Sequence, residues 1–347
     1  MDFHFIVNLN PCRIAFMTDN THHTENKPPF FKRKKFVVSF IALLLGVLII
    51  VFFPKTHQEN AQTYEPLILV SVPPYKKIVN SLVGKKFRVE SVVPNGFDPH
   101  LYDAKPNDMK KLKDAVIWFG IGEPFEQKLL TSMRDANVQV TYVNLIDEIE
   151  RSKDKNLFIT TQHHCEHDHH HGHGSCAHQT YDRHLWLSLN LDSVQASIIV
   201  SKLSDLYPHF KEVFEGYLEE LIREHEVLAN WIEANIKDAR PITFLTPHPA
   251  FSYFAREFDI TQVPIEVEGK EPNIQDLNQL LSQLKTQHID CVIVQPQHPK
   301  KAAEYLAKDL DVPVYMIDPY NENYLDTCNR LGLSLAHKRK IGTYADH

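Results

Sequence analysis

The sequence predicts an α/β protein built as two Rossmann-like lobes with parallel sheets, joined by one long helix. Three observations lead there. Short apolar runs alternate with helix-period segments, the rhythm of parallel sheets with crossover helices. That alternation stops near Asp147 and restarts near Pro241. Between the two stretches lies an amphipathic segment, His209–Ile236, that would span about 42 Å at 1.5 Å per residue. It carries Phe214, Leu218, Leu221, Leu228 and Ile232 on one stripe. A helix of that length suits a strut between lobes.

In chain order, "LILVSV" from Leu67 is a short buried strand, and "YKKIVNSLVG" is a helix closed by Gly84. "FRVESVV" from Phe87 is a second strand. "KPNDMKKLKDA" is a helix with Asn107 as its expected N-cap, and Ala115–Gly120 is a third strand. "EPFEQKLLTSMRDA" and "VQVTYV" add a helix and a strand. After a polar break, Leu191–Leu206 is helical and stops at Pro208. The second lobe follows the same rhythm. Strands are "ITFLTPH", "TQVPIEV", "IDCVIVQPQ" and "VPVYMID", and helices include "EPNIQDLNQLLSQLKTQ", in which Asn273 and Asp276 are spaced as a capping box. The expected divisions are 1–35 as an N-terminal extension, 36–53 as an export segment, 64–207 as the first lobe, 208–238 as the linking helix and 239–347 as the second lobe.

The chain of 347 residues has room for two domains, and its net charge of -7 excludes the basic face that nucleic-acid binding needs. "KRKK" at Lys32–Lys35 precedes the uncharged run Phe36–Phe53, which would make about 27 Å of helix. The basic flank stays cytoplasmic, so the rest of the chain is sent outside, by a cleaved signal peptide or a retained anchor.

Histidine is the outlier, with 21 residues. Eight of them, His163, His164, His167, His169, His170, His171, His173 and His178, crowd one polar segment together with Cys165 and Cys176. Within about 151–181 there is no apolar period, so a loop is expected. It offers many two- and three-ligand sets for a metal ion, each weakened by the entropy of ordering the backbone and by protonation near pH 6. Such a loop captures or buffers metal. Separate from it, His100, His248 and Asp318 each follow a predicted strand, and His184 precedes the helix of the first lobe. Ligand sites of open α/β sheets lie beyond those strand ends. Three imidazoles and a carboxylate can close a tetrahedral shell. Asp98 and Asp182, each two residues before one of these histidines, are candidates to hold the imidazoles from behind.

From Glu65 onward the chain resembles the metal-specific solute-binding proteins of ABC importers, the zinc/manganese cluster, and within it the zinc-uptake proteins with a histidine-rich loop. "GFDPHLYDAKPNDMKKLKDAVIWFGIGEPFE" is similar to that family's stretch around the first histidine. "DRHLWL" is similar to the second block, with Arg183 where proline is usual and "SLN" where "DP" usually follows. "HPAFSYFAREFDI", "EGKEPNIQDL", "QPQ" and "IDP" match the later blocks, with Asn273 in place of serine. The resemblance implies His100, His184 and His248 as ligands, with Asp318 where some members use a carboxylate and others a water. It implies Zn2+ as transported ligand ahead of Mn2+ or Fe2+, in line with the preference of imidazole-rich sites. It implies a periplasmic or extracytoplasmic monomer that serves an ABC permease and its ATPase, and a disulfide between Cys291 and Cys328. A zinc-dependent hydrolase is the rival reading, but "HEVLA" at His225 lacks the second histidine of a catalytic zinc motif. An anchored adhesin or zinc chaperone would share the site and differ in partner.

Overall fold

The computed structural model describes residues 65–152, 157–161, 180–267 and 269–336. The export segment at 36–53, the extension before it, and the histidine-rich run with Cys165 and Cys176 lie outside the described residues. No helix among the described residues is long and apolar enough to cross a membrane.

The first lobe is a four-stranded parallel sheet in the order β2-β1-β3-β4, from β1 (Leu67–Val70), β2 (Arg88–Ser91), β3 (Ala115–Gly120) and β4 (Thr141–Asn144). Helices α1 (Pro73–Val83), α2 (Pro106–Asp114), α3 (Pro124–Asp135) and α4 (Leu145–Arg151) accompany it. Two-residue strands β5 (Thr160–Thr161) and β6 (Thr180–Tyr181) pair antiparallel on either side of the histidine-rich run. Helix α5 (Leu189–Leu206) leads through a turn at Pro208 into α6 (Lys211–Ile236). The second lobe has β7 (Thr243–Thr246), β8 (Thr261–Pro264), β9 (Cys291–Val294) and β10 (Val314–Met316) in the order β10-β9-β7-β8, all parallel. Counted from its own first strand, it repeats the topology of the first sheet. Its helices are α7 (Ser252–Glu257), α8 (Ile274–Leu284), α9 (Lys301–Leu310) and α10 (Tyr324–Ala336).

The two lobes of predicted parallel sheets are present, with shorter strands than the apolar runs suggest. Three local details differ. Helix α2 is opened by Lys105, not Asn107: the buried Asp108 carboxylate accepts from Lys105 N at 2.8 Å. Helix α5 starts two residues early, where Ser188 Oγ accepts from Leu191 N at 3.2 Å and so caps it without the "DP" pair. Helix α6 is more than a strut, since it packs on α1 and α5 of the first lobe and on α10 of the second. At the crossing with α10, a Cβ on Gly332 would lie 2.9 Å from Ile232 Cγ1, so only glycine permits that approach.

One apolar core runs through both lobes, from Leu67 and Trp118 through Trp186 and Phe214 to Phe244, Tyr320 and Leu331. A smaller cluster around Leu245, Leu284 and Val292 serves the outer face of the second sheet. Cys291 and Cys328 are both buried and free. The expected disulfide is thus not formed in this structure: with Asp290 acting on Cys291, and Glu257 and Asp192 on Cys328, burial pushes both thiols up and keeps them protonated.

Beyond β3, the fully buried Glu126 folds back on the strand end. Its carboxylate accepts from Ile121 N at 3.1 Å, Gly122 N at 2.8 Å and Tyr142 Oη at 2.5 Å. A Cβ on Gly120 would stand 2.5 Å from Glu126 Oε2 and 2.6 Å from Tyr142 Cε2. Gly120→Ala is therefore expected to cost about 1–3 kcal/mol, as overpacking of a locked interior does. Denaturant unfolding measures this, and an unchanged midpoint would contradict it.

Candidate metal centre

His100 sits in a 3-10 turn, Pro99–Leu101, beyond β2. The sequence "DPHLYDAKPND" builds that turn locally. Asp98 Oδ1 accepts from His100 N at 2.9 Å, and the Tyr102 hydroxyl donates to Asp108 Oδ2 at 2.8 Å, pinning the far side. His248 lies two residues past β7, where Gln295 holds both its backbone groups: His248 N donates to Gln295 Oε1 at 3.1 Å and Gln295 Nε2 donates to His248 O at 2.8 Å. His184 lies at the seam between the lobes. The Tyr253 hydroxyl donates to Asp182 O at 2.8 Å, and Trp186 Nε1 donates to Pro319 O at 2.8 Å. Second-lobe residues thus fix the segment on both sides of His184.

These three histidines converge. Their rings form a near-equilateral triangle, with centroid separations of 5.2, 5.3 and 5.4 Å and steep mutual angles. One ligand nitrogen from each lies within 4.8 Å of the other two, and among the described residues this is the only such group of three or more His, Cys, Asp or Glu. Asp318 does not join it. Its Oδ1 accepts from Gln297 Nε2 at 2.9 Å and from Tyr320 N at 2.9 Å, a local turn role.

Behind each imidazole stands a carboxylate. Nδ1 of His100 is 3.2 Å from Glu123 Oε2, Nδ1 of His184 is 2.7 Å from Asp182 Oδ1, and Nδ1 of His248 is 3.1 Å from Glu266 Oε2. With Nδ1 donating to an acid, Nε2 presents its lone pair. His248 Nε2 is buried with no hydrogen-bond partner, and His184 Nε2 accepts from the Tyr320 hydroxyl at 3.0 Å. Asp182 fills the role foreseen for it. Asp98 does not: it holds the backbone of His100, and Glu123 takes the ring. Neither Glu123 nor Glu266 stands out in the sequence. Glu123 belongs to "GIGEPFE", beyond β3, and its peptide neighbour Gly122 receives Arg183 Nε at 3.0 Å through its carbonyl. That contact gives Arg183, the unusual residue before His184, a position in the site.

The His100 and His184 pairs titrate differently. Burial lowers His184, against the opposing charge of Asp182, so this ring holds its neutral form below the ordinary histidine range. Burial also pulls His100 down, but the hydrogen bond and charge of Glu123 outweigh it, and His100 ends above its usual value. Glu123 and Asp182 both lie below the ordinary carboxylate range, because their imidazole partners outweigh burial. A cation needs neutral imidazoles. As the pH falls His100 therefore protonates before His184, and its loss as a neutral donor begins above the ordinary histidine pKa. Glu123→Gln removes the charge that holds this proton. We expect it to move the pH of half-maximal affinity downward and to lower the plateau affinity by about 10–100-fold. Competition titration with a chelator from about pH 5 to about pH 8 checks this, and an unshifted profile would contradict it.

Residues 68–335 match the family described as zinc-uptake complex component A, periplasmic. A putative metal-binding protein of Chlamydia trachomatis is 24% identical over 273 residues, covering 78% of this chain and 90% of the relative. The high-affinity zinc uptake system protein ZnuA of Yersinia pestis is 28% identical over 284 residues, covering 73% and 82%. A crystal structure of ZnuA superposes with a TM-score of 0.67 at 27% identity, covering 78% of this chain and 98% of the other. The match runs from the first strand of one lobe to the last helix of the other, so the chain belongs to the zinc-uptake component A family, metal solute-binding proteins of ABC importers and not enzymes.

Proposed function

We propose that this protein captures one Zn2+ outside the cytoplasm through Nε2 of His100, His184 and His248 and delivers it to an ABC permease driven by its ATPase. The observation that carries the reading is the common orientation of the three rings, each with Nδ1 on a carboxylate and the donor atoms within 4.8 Å. Three neutral imidazoles favour zinc over manganese or ferrous iron. Asp318 is left out of the shell, so the fourth position belongs to a water or to the Tyr320 side of the cleft. The names of the zinc-uptake relatives support the choice of ion. An exported chain fits the periplasmic description of the family and the basic-then-apolar stretch at 32–53, acting as signal peptide or anchor. The histidine-rich run at His163–His178 serves as an auxiliary store of weaker sites. Release takes a small lobe movement, because a core shared by both lobes resists wide opening.

Titration of metal-free protein tests this. We expect one tight zinc site that exceeds manganese by more than tenfold, lost in His248→Ala, and several weaker sites that vanish when residues 163–178 are deleted. Manganese winning the competition would overturn the choice of ion. Loss of the tight site on deleting the loop would overturn the assignment of ligands.

A further inference from the structure

A fourth histidine stands beside the centre. His298 follows β9 in "QPQHP", and its ring lies parallel to that of His248, with centroids 5.0 Å apart and an angle of 16°. Its Nε2 is buried and has no hydrogen-bond partner, as is true of His248 Nε2 and of Gln297 Oε1 beside it. Unpaired buried polar atoms are costly, and they are tolerated where a ligand satisfies them. His298 also faces open space. It lines a cavity of about 380 Å3 together with His100, His248, Asp98, Glu266 and Glu271. Arg183 and Lys270 line the same cavity, so three carboxylates face two cations there.

The stacking decides what His298 can do. An imidazole binds a cation in the plane of its ring, along the nitrogen lone pair. Two stacked rings lie in separate planes, so a cation in the plane of one is out of the plane of the other, and they address two neighbouring positions rather than one. His298 accordingly falls outside the group whose donor atoms lie within 4.8 Å of one another. We propose that His298 Nε2 and the carboxylates lining the cavity form an outer station for a divalent transition cation, from which the ion passes to His248 by ligand exchange. The bond to His298 breaks as the bond to His248 forms, with no change of oxidation state. The mixed imidazole and carboxylate donors suit zinc, cobalt or nickel, held more weakly than at three imidazoles. Because the station feeds the three-histidine centre, it rests on the function proposed above.

The full chain provides the test, with Co2+ as probe. The ring of Trp186 is 5.4 Å from that of His184, so arrival of Co2+ at the centre quenches its fluorescence. Stopped-flow mixing then gives the loading rate, and excess EDTA gives the release rate. His298→Phe keeps a ring on His248 without a donor atom, and His298→Ala removes the ring as well. We expect both variants to retain one tight Co2+ site with affinity within about threefold, and both to load and release about tenfold more slowly. Rates unchanged in His298→Phe would overturn the station, as would slowing in His298→Ala alone, which would assign the effect to packing. A loss of affinity at an unchanged loading rate would make His298 a ligand of the centre itself and likewise overturn the station. A parent protein with no tight Co2+ site would instead refute the three-histidine centre, an outcome distinct from a parent that binds and variants that behave as it does.

Discussion

The structure depends on one repeated interaction, the hydrogen bond from imidazole Nδ1 to a carboxylate. It occurs at His100 with Glu123, at His184 with Asp182 and at His248 with Glu266. Each bond fixes a tautomer and a ring direction, and together they aim three lone pairs at one point. It also sets the charge. Glu123 and Asp182 are almost wholly buried, and desolvation alone would push such acids toward the neutral form. Their imidazole partners hold them ionised, so the pocket combines neutral donors with negative charge behind them. A divalent cation is the species that relieves both the unpaired nitrogens and the excess negative charge.

The surrounding fold keeps this arrangement from relaxing. Glu126 clamps the strand end that leads into Glu123, and Arg183 ties the same loop to the segment of His184. His184 itself is bound through Asp182, Trp186 and its own Nε2 to Tyr253, Pro319 and Tyr320 of the second lobe. His248 belongs to that lobe as well, whereas His100 and Glu123 belong to the first. Relative displacement of the lobes therefore separates His100 from the other two histidines. The Lys76–Glu322 ion pair at 3.0 Å and the contact of Glu322 N with Asn95 Oδ1 at 3.3 Å cross the same seam near the surface. Being partly exposed, they resist such motion weakly.

Much of this is legible in the sequence, for identifiable reasons. Strand–helix alternation and the long amphipathic helix are local patterns, and they give both lobes. His248 is marked by a strand that ends two residues before it, and His100 by the loop that follows a strand. Asp182 is visible because it acts two residues from its partner. Glu123 and Glu266 are not visible, since they reach their histidines across 23 and 18 residues and only tertiary packing sets that approach. Asp98 has the same spacing as Asp182 but a different role, because Glu123 already occupies the ring nitrogen of His100. Asp318 was marked by the strand before it and the Cys291–Cys328 pair by the pattern of relatives; here Asp318 Oδ1 is taken up in local turn bonding and both cysteines are free thiols.

The central claim is that one ion bonds to three imidazole nitrogens at the seam between the lobes. A crystal structure of the zinc-loaded protein, with anomalous data on both sides of the zinc edge, tests it most directly. The account predicts a strong peak about 2.0–2.1 Å from Nε2 of each of His100, His184 and His248, with Nδ1 of each still on its carboxylate. A peak bonded through Nδ1, or to fewer than three of these histidines, would contradict it.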